Sequence, residues 1–196
     1  MKKTLYPKTK RIGVSNGSTI TEKLDGSNLG IFKLNDELIF AQRKNVLTYS
    51  ELRDSDIAYK GLRAWAKDNK ESLEDLHNGS GVFGEWLGMG KLKYGDIGRF
   101  FIFAKANIDE EYEIRNINYI HEYFKYPFES QVIPECIKIV PSVAVTNETD
   151  IESLNKLFDE YLGTVGRGVE GFVIESNGSI SKYVRRKNGK LVDHHA

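Results

Sequence analysis

Residues 21–28 read TEKLDGSN: Lys23, one further residue, then Asp25-Gly26, with Asn28 two places on. The run that leads into it, STITEKL (18–24), has strand character, and DGSN is strong turn chemistry. A lysine that merely solvates a surface needs no such setting. One that must attack something benefits from being held at a strand end. The tetrapeptide alone is weak evidence. At roughly 5–7% per residue type, a chain of this length contains a Lys-x-Asp-Gly by chance a few times in a hundred. A solvated lysine before a type I or I′ turn is the ordinary alternative.

Outward from this point the pattern is mostly β. LGIFKL (29–34) and ELIFAQR (37–43) read as strands joined by a two-residue hairpin at Asn35-Asp36. From Ser55 to about His77 the spacing turns helical, with Ile57, Leu62, Trp65 and Ala66 on one face. Strands return at 80–88 and 99–106. The tract 107–148 is hard to read, with a helix suggested around INYIHEYF and a strand around CIKIVPSVAV. A clear helix is expected at 150–162, with Thr149 and Glu152 at capping-box spacing and Gly163 as its C-terminal cap. EGFVIES (170–176) and SISKYVRRK (179–187) close the chain as strands around an NGS turn. Irregular alternation with several hairpins predicts an α+β fold with antiparallel sheets flanked by helices.

Composition narrows the function. The 196 residues suit a single domain, and Lys+Arg and Asp+Glu both number 28, so no global field draws the chain to nucleic acid or membrane. No run approaches a membrane span, and the basic N-terminus lacks the apolar stretch of a signal peptide. One cysteine, Cys136, suits a reducing, cytoplasmic setting. Its plain reading is a small buried hydrophobe. His77, His121 and the His194-His195 pair show no zinc spacing. G-x-x-x-x-G-K-[ST] and G-x-G-x-x-G are both absent.

Further features follow Lys23 in order: Arg43 in AQRKN, Glu85 in FGEW, the aromatic strand FFIF, Glu170 in VEGFVIE, and the basic strand KYVRRKNGK. Together these resemble the covalent nucleotidyltransferase superfamily of ATP-dependent DNA ligases, RNA ligases and messenger-RNA capping enzymes. TEKLDGSN looks most like the phage-type RNA ligase 2 class. The resemblance runs from residue 21 to 187, nearly the whole chain. It implies a ligase adenylation domain with an ATP-grasp-like nucleotide pocket between its sheets. The reaction implied is ATP-dependent joining of RNA ends, those of a nicked duplex among them, through a lysyl-AMP formed on Lys23. AMP then passes to a 5′-phosphate and a 3′-hydroxyl seals. An ammonium cannot attack, so Lys23 must first lose a proton, and an apolar strand with neighbouring cations makes that easier.

The resemblance also assigns roles. Glu170 is the candidate for holding Mg²⁺ or Mn²⁺. Fixed cations on the last strand stabilise the transferring phosphate. Arg185 and Lys187 have the family's spacing and are preferred. Lys182 is the alternative register, in which the second position is Val184. Glu22 contacts the exocyclic amine of adenine, and Asn28 reaches the adenine edge or the phosphate region. Glu85 accepts from a ribose hydroxyl, while Arg43 binds ribose or the incoming 5′-phosphate. Phe103, on one face with Phe101, stacks on the base, and Ala104 stands where related ligases often carry an aspartate. Trp65 and Trp86 read as core.

The chain stops about nine residues after Lys187, so the expectation is one nucleotidyltransferase domain over 1–196, without the C-terminal OB-fold or helical domain of related ligases. A partner protein could replace that domain, and GKLKYGDIGR (90–99) offers phosphate contacts. Two other readings are a compact ATP-dependent DNA ligase and a nucleotide- or RNA-binding module that has lost sealing.

Overall fold

The structure, a computed structural model, describes residues 1–3, 5–6, 18–90, 92–120, 134 and 136–185, and the backbone of 10–11. The expected α+β architecture is present. The described residues form two compact units. One takes those of Met1–Pro7, Gly26–Gly90 and Ile97–Ile139; the other takes those of Lys8–Asp25, Lys91–Asp96 and Val140–Ala196.

The first unit is built on a seven-stranded sheet. Its strands are β3 (Ser27–Leu34), β4 (Glu37–Ala41), β5 (Val46–Thr48), β6 (Ser80–Trp86), β7 (Phe100–Ile108), β8 (Ile114–Tyr119) and β9 (Lys138–Ile139). They run in the order β5-β4-β3-β6-β7-β8, antiparallel throughout, and β9 joins β7 in parallel. Asn35 and Asp36 have φ of 50° and 61°, the left-handed pair that a tight two-residue hairpin needs, so the β3–β4 turn forms as its sequence predicts. Phe32, Ile39, Phe83, Ala104 and Ala106 pack one face of the sheet. The helical tract is shorter than its periodicity suggests: α1 covers Leu62–Asp68 and α2 Lys70–Leu73, while Ile57 starts a 3₁₀ turn and is 64% exposed. Trp65 of α1 meets Trp86 and Phe100 edge-on, with ring centres 5.4 and 6.1 Å apart; Trp86 is core as expected, while Trp65 is half-buried against it.

The second unit holds a five-stranded sheet. It contains β1 (Lys10–Arg11), β2 (Ser18–Lys23), β10 (Ser142–Thr146), β11 (Gly171–Ser176) and β12 (Ser179–Val184), in the order β1-β12-β11-β2-β10. Asn177 and Gly178, with φ of 50° and 78°, close the predicted β11–β12 hairpin. Helix α3 (Ile151–Val165) lays Leu154 and Phe158 against Ile20, Phe172, Ile174 and Tyr183.

Four expectations change here. Asp150, not Thr149, caps α3, accepting from the Ser153 amide at 2.9 Å. The helix runs through Gly163 and ends at Gly166, whose φ is 65°. Residues 117–119, read as the start of a helix, pair with β7 as strand, because alternating side chains suit a sheet already templated by that neighbour; residues 121–124 of that reading lie outside the described residues. The single strand expected over 136–145 is broken before Ser142. Pro141 has no amide to donate, and the pieces join different sheets as β9 and β10. No helix among the described residues is long and apolar enough to cross a membrane.

Candidate functional site

In the second unit, β2 carries Lys23 at its C-terminal end, beside β11. Lys23 pairs with Gly171, and Gly171 with Val184, across three strands; two rows further in stand Thr21, Val173 and Lys182. Alternation therefore puts Lys23 and Lys182 on one face of the sheet. Glu170, just before β11, places its carboxylate in hydrogen-bond and ion-pair contact with Lys23 Nζ. Both side chains are about a quarter exposed, so the pair is reachable from solvent. Nucleophile candidate and acid candidate, 147 residues apart in sequence, are in direct contact.

On the final strand, Arg185 and Lys182 lie on opposite faces of the sheet. Arg185 follows Tyr183 onto the α3 face. Its guanidinium lies 4.7 Å from the Phe158 ring centre, bonds Asp159 at 2.8 Å, and is only 13% exposed. Strand alternation turns that position away from Lys23, whereas Lys182, the alternative, shares its face. Lys187 lies outside the described residues.

Glu22, expected at the adenine edge, points to the α3 side instead. Its side chain is 0% exposed and its oxygens are taken up by protein. Arg167 donates to both oxygens at 2.6 and 2.9 Å, and the Tyr161 hydroxyl donates at 2.6 Å. The bonds to Glu22 raise the guanidinium pKa above its ordinary value. Burial, then the Glu22 bond, push the Tyr161 hydroxyl well above the usual phenol range, so it remains a donor. Beyond the nucleophile, the Asp25 amide donates to the Tyr94 hydroxyl at 2.6 Å, and the Asp25 carboxylate accepts from the Leu92 amide at 3.0 Å. Arg167 also lies over the Tyr94 ring, 5.1 Å from its centre.

In the first unit, Asn28 and Glu85 are cross-strand partners on β3 and β6. Glu85 accepts from the Gly26 amide at 3.1 Å. The Tyr59 hydroxyl donates to the Asn28 carbonyl at 2.7 Å and accepts from the Arg43 amide at 2.6 Å, tying the backbones of two candidates together. Burial pushes its pKa up to about 12. The Arg43 side chain is exposed. Phe103 sits at a bulge of β7, where Phe83 faces Ala104 and Gly84 faces Ile102. Its ring meets Tyr6 edge-on at 5.2 Å and it is half-buried, while Phe101 is buried and pairs with Glu85.

Sequence reasoning missed Arg167, Tyr161, Tyr94 and Tyr59. Tyr94 lies in the tract read as a basic phosphate contact, and no spacing marks any of the four, because each acts across sequence separations that only folding closes. Cys136 is half-buried, its thiol donating weakly to Ser72 Oγ at 3.8 Å, with burial raising its pKa.

No group of three or more His, Cys, Asp or Glu converges among the described residues. Glu170 beside Lys23 fits a different mode, in which a divalent cation takes one carboxylate and completes its shell with substrate phosphates and water.

The described residues thus form a sheet-rich α+β fold with an amine at the end of a strand and an acid against it. A family model described as RNA ligase matches residues 18–190, and the chain belongs to that family. Its fold is similar to that of a ligand-free mutant of Naegleria gruberi RNA ligase, with a TM-score of 0.59 and 17% identity over 92% of this chain and 56% of that one. Another mutant of that enzyme, solved with ATP and Mn, matches at 15% identity with a TM-score of 0.59 over the same shares. An archaeal ATP-dependent RNA ligase matches at 17% identity with a TM-score of 0.57, over 92% of this chain and 48% of that one. This chain thus spans about half the length of those solved chains. No curated protein sequence matches it.

Proposed function

We propose that this protein is an ATP-dependent RNA ligase that works through a covalent Lys23–AMP. The observation that supports it best is the contact between Lys23 Nζ and the Glu170 carboxylate, in a chain of the RNA ligase family. In the first step the Nζ lone pair attacks the α-phosphorus of ATP, the bond to the β-phosphate oxygen breaks, and pyrophosphate leaves. Glu170 orients the amine and is within reach to accept the proton it sheds. Lys182, on the same sheet face, faces the charge that grows on the phosphate. In the second step AMP passes to an RNA 5′-phosphate and Lys23 is released. A 3′-hydroxyl then attacks that phosphate, AMP departs, and the phosphodiester closes.

Arg43, exposed beside the Tyr59 tie, is proposed to hold the 5′-phosphate with its fork of donors. Asn28 and Glu85, paired on adjacent strands, suit the nucleoside's hydroxyls, and Phe103 is proposed to stack on its base. Mg²⁺ on Glu170, when bound, would neutralise phosphate charge.

The test is to incubate the protein with α-labelled ATP and Mg²⁺, denature it, and follow label on the chain. Acid-labile label is expected, lost to background in Lys23→Ala. Lys182→Ala should lower the rate about 100-fold, in the range of a lost transition-state contact, while Arg185→Ala should label normally and melt lower. Unlabelled protein whose intact mass carries no AMP would overturn the proposal. Nicked RNA-containing and all-DNA substrates run in parallel separate RNA joining from DNA joining.

A further inference from the structure

Lys23 is bracketed by a side-chain relay. On its N-terminal side the fully buried Glu22 is gripped by both guanidinium nitrogens of Arg167 and by the Tyr161 hydroxyl. On its C-terminal side the Asp25 amide is held by the Tyr94 hydroxyl at 2.6 Å. Arg167 links the two sides, because the guanidinium bonded to Glu22 also lies over the Tyr94 ring. Three side chains, from the 92–96 segment, α3 and the loop before β11, thus converge on Glu22 and Asp25 on either side of the attacking amine.

We infer that Arg167 and Tyr94 are positioning residues for Lys23, clamping the strand end on which it stands through Glu22 on one side and Asp25 on the other. This rests on the proposed adenylation of Lys23. The chemistry favours a clamp over a stability device. A buried ion pair contributes little net stability compared with apolar packing of the same volume. A planar fork bonded to both carboxylate oxygens and stacked on a ring instead fixes rotation as well as distance. Lysine supplies charge but neither the fork nor the stack. Nucleophilic attack punishes small misplacements, and about 1 Å can cost 100-fold in rate.

The test is the single-turnover rate of Lys23 adenylation against ATP concentration, with folding followed by circular dichroism. Arg167→Ala should lower the saturating rate by about 10- to 100-fold, with the ATP concentration at half-maximal rate moving no more than about threefold. Arg167→Lys should fall between it and the wild type. Tyr94→Phe keeps the ring and removes only the Asp25 contact, so it should slow the step while melting like the wild type. Because Arg167 acts through Glu22, Glu22→Gln/Arg167→Ala should be no slower than Arg167→Ala alone. Wild-type rates in both Arg167→Lys and Tyr94→Phe would overturn the inference. So would a loss carried entirely by weaker ATP binding, or an additive double variant. A wild type that fails to adenylate overturns the ligase proposal and the clamp together, whereas normal wild-type labelling with unaffected variants overturns the clamp alone.

Discussion

An alanine Cβ at Gly171 would sit 1.9 Å from the Tyr183 carbonyl oxygen, and one at Gly26 would sit 2.3 Å from that of Trp86. Both glycines belong to the motifs read from sequence, Asp-Gly after Lys23 and Glu-Gly at 170–171. Each is there because a neighbouring strand's backbone leaves no room for a side chain. Gly171→Ala should therefore destabilise the protein by about 1–3 kcal/mol, the usual cost of overpacking, and should also slow labelling, since Gly171 is the register partner of Lys23. An unchanged urea midpoint would contradict that. At this scale the sequence was legible where chemistry demands one residue type at one spacing. It was not legible at Arg167, Tyr94 or Tyr59, ordinary residue types whose roles come from partners far along the chain.

Helix α3 shows what local patterns misjudge. Gly163 has the look of a stop, yet a Cβ there meets nothing within 4 Å and the helix continues to Gly166. The added residues, Gly163–Val165, make just under one turn, and the packing of Val165 against the core of this unit outweighs one glycine, whose cost in a helix is about 1 kcal/mol. Gly163→Ala should accordingly stabilise the protein by about 0.5–1 kcal/mol. Gly166→Ala should destabilise it, because φ there is 65°. Paired thermal melts of the two variants check both signs. Strand β8 and the split at Pro141 were hidden for a related reason. Short tracts take their conformation from the strand they join, and that strand is not a neighbour in sequence.

Across the molecule, buried tyrosines govern the response to alkali. Burial raises the pKa of Tyr6, Tyr59, Tyr94 and Tyr161, with Tyr59 moving from 10.0 to about 12. The unfolded chain releases these protons near 10 and the folded chain holds them longer. Their contribution is thus fully present below that pH and lost as pH rises through 10 towards the folded values. Tyr59 alone contributes about 3 kcal/mol to that loss at the one-pKa-unit conversion. Stability measured by urea unfolding should be flat with respect to these groups up to pH 9 and fall steeply between 10 and 12. Tyr59→Phe should be less steep, and an identical slope would contradict the assignment.

The order of motifs, the two tight hairpins, the α+β class and the family were determined by the sequence itself, because turn residues, strand alternation and motif spacing are local properties. The partners of Glu22, the choice of Lys182 over Arg185 on the face of Lys23, and the relay through Arg167 and Tyr94 were decided only by tertiary structure. Side-chain direction in a sheet depends on register with other strands, and a buried carboxylate takes whichever donors the packed chain brings to it.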